Sequence, residues 1–179
     1  MNRHGTEAYY WNFAMPNRNT FSIPSIAKFL KDKLKDCNII IDPFARDSKF
    51  GTITNDLNPE VSADYNMKAD DFLQMLIDNG VKADAILLDP PYSPRQVKEC
   101  YDNLGLDVTS QDTQTSKTMS KIRTLASQVL KVGGIGISFG WDSTGLGRKN
   151  GVTKKEVHIL PHGSTLHDTI ITLDEKVKE

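Results

Sequence analysis

Ala85-Ile86-Leu87-Leu88-Asp89-Pro90-Pro91-Tyr92 is the stretch on which the fold turns. Its four apolar residues, entered through Asp84, read as a strand buried on both faces, as in a parallel sheet. The two prolines end that strand, because each fixes φ and neither has an N–H to give to a ladder. An acid, a backbone carbonyl and an aromatic ring are thereby held at the carboxyl end of a buried strand. Open α/β sheets bind their ligands at that edge. An ordinary Asp-Pro turn is written in the same letters, so the rest of the chain has to decide between turn and site.

Working outward, Cys37-Asn38-Ile39-Ile40-Ile41-Asp42 predicts a β-branched strand ending on an acid, and Gly51 to Asp56 a second strand with the same ending. A third strand is expected near Tyr65 to Ala69. Pro24 opens a helix with Ser22 near its cap and Ile26, Phe29, Leu30 and Leu34 on one face. Another helix runs through Phe72, Leu73, Leu76 and Ile77 to a stop at Asn79-Gly80. Beyond the prolines, residues 95–103 have helical spacing and residues 105–116 are polar, a loop of the length used for lids and binding segments or left disordered. Met119, Ile122, Leu125, Ala126, Val129 and Leu130 then define a helix closed by Gly133-Gly134, followed by a strand from Ile135 to Phe139 that runs into Gly140-Trp141. Glu156 to Leu160 and Thr169 to Leu173 predict an antiparallel pair. Residues 1–20 form an arm, polar and aromatic, without a clear period.

Strands alternating with helices predict an α/β fold: one domain over residues 1–179, Rossmann-like, with a mostly parallel, doubly wound sheet and a C-terminal antiparallel hairpin. Four strand ends then put Asp42, Asp56, Asp89 and Trp141 on one rim. A rigid pair of acceptors beside a flat ring suits a planar base that carries an exocyclic amine.

Composition narrows the classes. The 179 residues are 38% hydrophobic and 25% charged, with a net charge of −1, which suits a soluble globular protein. No run approaches the roughly 20 apolar residues of a membrane span. Met1-Asn2-Arg3-His4-Gly5 lacks the apolar core of a signal peptide, so a cytoplasmic location without membrane contact is expected. Two cysteines make neither a disulfide framework nor a zinc site, and no metal is expected. The small net charge conceals a division. Lys117 to Lys155 contains eight basic residues and one acid, whereas Asp36 to Asp78 contains nine acids and three basic residues. Such halves are either solvated surface or one side for phosphates and one for a cationic small molecule. Lys117, Lys121, Arg148, Lys149 and Trp141 are the candidates for nucleic-acid contact. His162 and His167 read as solvated turn residues, and Lys154-Lys155 as surface.

Five short motifs, in order, carry a family resemblance: Phe21-Ser22-Ile23-Pro24, Ile41-Asp42-Pro43-Phe44-Ala45, Asn55-Asp56-Leu57-Asn58, Ala69-Asp70-Asp71-Phe72-Leu73 and Asp89-Pro90-Pro91-Tyr92. Together they span residues 21–92, and the chain resembles the S-adenosylmethionine-dependent amino-methyltransferases, most closely the DNA adenine methylase type. The resemblance implies S-adenosyl-L-methionine as cofactor and the exocyclic amine of adenine in DNA as target. Cytosine amine, an RNA base and a protein glutamine amide are alternatives within the enzymes. A non-catalytic binding subunit is the alternative outside them. By the same resemblance, Phe21 lies near the methionine end, and Asp42, Pro43, Phe44 and Ala45 form the cofactor loop. Asp56 takes the ribose hydroxyls, Leu57 packs on the adenine, and Asp70 or Asp71 of the Asp70-Asp71-Phe72 motif meets the adenine amine. Asp89 and the Pro90 carbonyl accept from the target amine, with Pro91 stiffening the motif, and Tyr92 stacks on the target base.

Two features depart from the family pattern. The loop reads Phe44-Ala45-Arg46-Asp47-Ser48-Lys49, without the glycines that let backbone approach a ligand. Nine residues, Pro43 to Gly51, separate the first two strands, where a parallel crossover usually takes a dozen or more. The first crossover helix is therefore expected to be reduced or missing, with Arg46 or the N-terminal arm completing the site. No segment is long enough for a separate target-recognition domain, so loop 105–116, the 145–155 region or a second subunit (a homodimer mate or a recognition subunit) is left to grip nucleic acid.

Overall fold

The computed structural model describes residues 5–17, 19–91, 98, 115–163 and 166–178. Its centre is one seven-stranded sheet. In chain order the elements are β1 (Glu7–Tyr10), α1 (Pro24–Leu34), β2 (Ile40–Asp42), β3 (Ile53–Thr54), α2 (Ala69–Asp78), β4 (Ala83–Leu88), α3 (Thr115–Val129), β5 (Leu130–Gly140), β6 (Val152–Leu160) and β7 (Thr169–Lys176), with single 3-10 turns at Thr20–Ser22 and Arg148–Asn150. Across the sheet the strands lie in the order β1-β6-β7-β5-β4-β2-β3. Only β7 runs against the others, paired antiparallel with both β5 and β6. This is the Rossmann-like, mostly parallel arrangement with a C-terminal antiparallel pair that the alternation of elements predicts.

The period of two in β4 builds both cores. Ala85 and Leu87 face α1, joining Phe29, Leu30 and Ile137. Ile86 and Leu88 face the other way, against Phe72, Leu73 and Leu76 of α2 and Ile122, Leu125 and Ala126 of α3. All four β4 residues are buried, so the strand is covered on both faces. At its start, Asp84 accepts from the Asn38 and Ile39 amides (2.9 and 2.8 Å) and pairs with Lys131. The Lys131 ammonium and those amides hold its carboxyl down to about 2.

Several expectations change. The arm contains a strand: β1 pairs parallel with β6, Glu7 opposite Glu156 to Tyr10 opposite Ile159. Side-chain anchors fix it, since Trp11 Nε1 donates to His158 Nδ1 (3.0 Å) and Tyr9 stacks on the same imidazole (4.7 Å). His162 is buried, not solvated; its ring bonds the Ala14 carbonyl and the Thr169 hydroxyl (2.6 and 2.7 Å). Gly133 and Gly134 do not close α3 but lie inside β5, which starts directly after Val129. Pairing between β4 and β5 slips there, and a Cβ on Gly134 would sit about 3 Å from the Lys131 and Ala83 carbonyl oxygens. The third strand is one bridge, Asn55 to Tyr65, and β2 and β3 are shorter than predicted. Ser22 does not cap α1; its hydroxyl donates to Asn19 O, and Ile23 stands at the cap position. Thr115 and Ser116 belong to α3, while the rest of the 105–116 loop and the helix expected at 95–103 lie outside the described residues, save Lys98. No described helix is long and apolar enough to cross a membrane, and no described group of three His, Cys, Asp or Glu is placed to hold a metal.

Candidate cofactor and substrate site

Asp89 and Pro90 follow β4 at the carboxyl rim. Pro90 is buried, Pro91 and Asp89 are half-buried, and Tyr92 lies outside the described residues. Asp89 lines an open cleft of about 190 Å³ together with Phe21, Phe44, Arg46, Lys49 and Phe50. The structure thus brings the residue after β4, the 3-10 turn before α1 and the loop after β2 to one place. Phe21 is held there by the Phe50 and Phe139 rings, 6.1 and 4.9 Å away. The volume is below the roughly 300–1,000 Å³ of drug-sized ligand sites, so the cleft accommodates one end of a larger molecule.

The loop from Pro43 to Gly51 contains no helix, and it replaces the missing crossover with side-chain clamps. Asn55, fully buried, donates through Nδ2 to the Pro43 and Met67 carbonyls (3.1 and 3.0 Å) and accepts from the Met67 amide (3.1 Å). Asp56 accepts from the Arg46 and Asn58 amides, both at 2.9 Å. Asp42 is also fully buried and does not line the cleft; one oxygen accepts from the Phe44 amide (3.2 Å), and Oδ2 has no partner. Burial, reinforced by the charges of Asp89 and Asp56, pushes its carboxyl up to about 7, against the pull of the Phe44 amide and the Ser48 hydroxyl. Arg46 lies in the glycine-poor stretch, and its φ of +46° is the only left-handed value among the described non-glycine residues. A side chain there costs roughly 1–2 kcal/mol relative to an ordinary backbone position. Asn55 escaped the sequence reading because its neighbour Asp56 drew the ribose role. An amide directly before a strand-end acid is the signal that was there.

Other candidates are spread around the rim. Ala45, though buried, also lines the cleft, and Leu57 is half-buried beside Asp56. Phe72 is core, fully buried with its ring 5.5 Å from Tyr65, and Asp71 is exposed. Asp70 pairs with Lys121 across α2 and α3 at 2.7 Å, so an acid read as adenine-facing and a cation read as phosphate-facing occupy each other. Lys117 is exposed on α3; Arg148 and Lys149 are exposed on their 3-10 turn, with Lys149 Nζ on Ser120 Oγ (3.1 Å). Trp141 emerges beyond β5 and stacks on His167 at 4.3 Å, leaving both rings exposed at the rim. The Cys37 thiol, half-buried and pushed up in pKa chiefly by burial, is no activated nucleophile.

No protein-family model matches the chain, and no curated protein matches it. Solved structures do share its fold. NSun6 from Pyrococcus horikoshii, solved with SFG, superposes with a TM-score of 0.54 at 20% identity, over 81% of this chain and 49% of that one. TrmN from Thermus thermophilus gives 0.56 at 15% identity over 87% and 49%. A SAM-dependent methyltransferase from Agrobacterium tumefaciens gives 0.55 at 13% identity over 83% and 60%. The chain therefore spans between about half and three-fifths of these proteins' lengths. At such identities the likeness establishes the fold: the Rossmann-like fold that a SAM-dependent methyltransferase also has.

Proposed function

We propose that the protein is a methyltransferase that uses S-adenosyl-L-methionine to methylate the exocyclic amine of a nucleobase, with adenine in DNA as the first candidate. One observation carries this reading: Asp89, ahead of Pro90 and Pro91, lines the same cleft as Phe21 and Phe44. The residues present fit such a cofactor. A cationic, amino-acid-bearing nucleoside finds three aromatic rings, cations for its carboxylate, and acids at the rim, with the unpartnered buried oxygen of Asp42 just behind the loop.

When bound, the cofactor supplies an electrophilic methyl group on a sulfonium. The chain's part is to make a poor nucleophile competent. The lone pair of an aromatic amine is delocalised into its ring. Acceptors at the Asp89 carboxylate and the Pro90 carbonyl hold both amine hydrogens and favour a pyramidal nitrogen. The N–C bond gained would be balanced by the methyl–sulfur bond lost, the sulfonium leaving as a neutral thioether, and Asp89 would pass the surplus amine proton to water. Holding two reactants in line is worth ~7–11 kcal/mol. A base in a duplex has to be flipped out first, at a few kcal/mol; Tyr92 and Trp141 are the rings assigned to receive it. Lys117, Arg148 and Lys149 are assigned to phosphates, with a homodimer mate or recognition subunit as a further source of grip.

The same amine on an RNA base meets the same acceptors, so the test has DNA and RNA arms. Incubation with methyl-labelled cofactor, followed by digestion to nucleosides, is expected to yield labelled N6-methyl-2′-deoxyadenosine from DNA. Label in the RNA digest would move the target to RNA. No label in either, with no calorimetric binding of the cofactor at millimolar concentration, would overturn the reading in favour of a non-catalytic subunit. Asp89→Ala is expected to lower transfer at least about a hundredfold, the scale on which single electrostatic groups act, while cofactor affinity stays within about threefold. Loss of both together would mean that Asp89 serves the cofactor instead.

A further inference from the structure

Most of the backbone amides at the start of the loop after β2 are already engaged. The Phe44 amide is bound to Asp42, the Ala45 amide to the Asn55 carbonyl, the Arg46 amide to Asp56 and the Ser48 amide to the Ala45 carbonyl. A glycine-rich loop would turn such groups toward a ligand; here four of them are consumed in holding the loop's own shape. A carboxylate entering the cleft meets two cationic side chains on its wall, Arg46 and Lys49. Arg46 keeps its side chain at a left-handed backbone position that favours glycine. Strain retained at a cleft is a pointer to function.

Resting on the proposed cofactor, we infer that Arg46, assisted by Lys49, receives the α-carboxylate of the cofactor's amino-acid end, in place of the four amides that the loop commits to its own shape. The guanidinium presents a planar fork that matches a carboxylate with two parallel bonds. Arg46 is thus a specificity residue: it separates cofactors that carry the carboxylate from those that do not. The adjoining Phe21, Phe44 and Phe50 rings are indifferent to that group.

Calorimetry with S-adenosylmethionine and with its decarboxylated analogue, which keeps sulfonium and ammonium, tests this. Wild-type protein is expected to prefer the carboxylate form by roughly tenfold or more, the scale of a charged hydrogen bond. Arg46→Gly is expected to bring that ratio to within about threefold of one without weakening the decarboxylated ligand. Because glycine relieves the backbone, its unfolding midpoint should rise, which separates lost recognition from lost fold. Arg46→Lys should keep part of the preference. An unchanged ratio in Arg46→Gly, or equal weakening of both ligands, would overturn the assignment while leaving the proposed function standing. Wild-type protein that binds neither ligand would sink both.

Discussion

The two halves of the sheet are built by different means. β5, β6 and β7 run for 11, 9 and 8 residues and pair over long ladders, broken by one register shift between Lys154 and Glu156, so backbone ladders define that half. β2 and β3, which carry the candidate site, run for 3 and 2 residues. There the geometry is set by side chains that bond backbone: Asn55 on Pro43 and Met67, Asp56 on Arg46 and Asn58, Asp64 on Thr54. A ladder tolerates the loss of most single side chains, because its bonds belong to the backbone. A clamp made of one buried amide does not. The site half is therefore the part of the molecule that a single polar substitution can dismantle.

Asn55→Ala should break the comparison open. It strands two carbonyls and one amide in a buried place, and buried groups left without partners cost about 1–3 kcal/mol each, less than additively. A loss of roughly 2–4 kcal/mol in denaturant unfolding is expected. Amide exchange should accelerate from residue 43 to 67 while residues 135–140 and 170–175 stay protected. Equal acceleration in both regions would show that the halves are one cooperative unit.

Acidity sharpens the same contrast. Asp42 ionises near 7 in the folded protein against 3.8 when exposed, so the folded state holds the proton more tightly. Its contribution is unfavourable to folding: nil below about 4, growing as pH rises, and complete above about 7. Between pH 5 and 8 wild-type protein should lose on the order of 2–3 kcal/mol that Asp42→Asn does not lose. Identical pH slopes for the two proteins would mean that Asp42 is already charged at pH 5. A bound cation should also lower its pKa, so cofactor binding near pH 7 is expected to release protons.

What was legible follows the same division. β4, α1, α2 and the β6–β7 pair are written in continuous apolar runs or one-sided stripes, and each appears within a few residues of its predicted place. Of the acids expected at strand ends, Asp42 ends β2 but is buried away from the cleft, Asp56 lies beyond β3 with both oxygens on loop amides, and Asp89 follows β4 directly and lines the cleft. β1 was missed because its inward contacts are aromatic and imidazole rings, Tyr9 and Trp11 on His158, two residues apart in a segment otherwise polar. Gly133-Gly134 misled because glycine ends helices as readily as it admits a slipped strand; only the facing β4 carbonyls tell which. The glycine-poor loop reads in sequence only as a departure, with Arg46 or the N-terminal arm expected to complete the site. Arg46 takes a left-handed backbone in that loop, and Asn55 holds it where a crossover helix is absent, a substitution of side-chain bonds for backbone ones that no period announces.

Lys121 offers the smallest effect and a fine discrimination. It is exposed and paired with Asp70 across α2 and α3, and such pairs are worth about 0–1 kcal/mol, so Lys121→Ala should hardly move the unfolding midpoint. Nucleic-acid affinity is more telling. A lysine bound to phosphate steepens the salt dependence of binding by roughly one unit of slope, and its removal flattens that slope equally on every sequence. Lys121 has its charge answered by Asp70, whereas Lys149 rests on a neutral hydroxyl. Lys149→Ala is therefore expected to flatten the salt slope and Lys121→Ala to leave it unchanged. A matching change in both would show that the Asp70 pair opens when nucleic acid arrives, freeing that carboxylate at the same moment for the adenine amine.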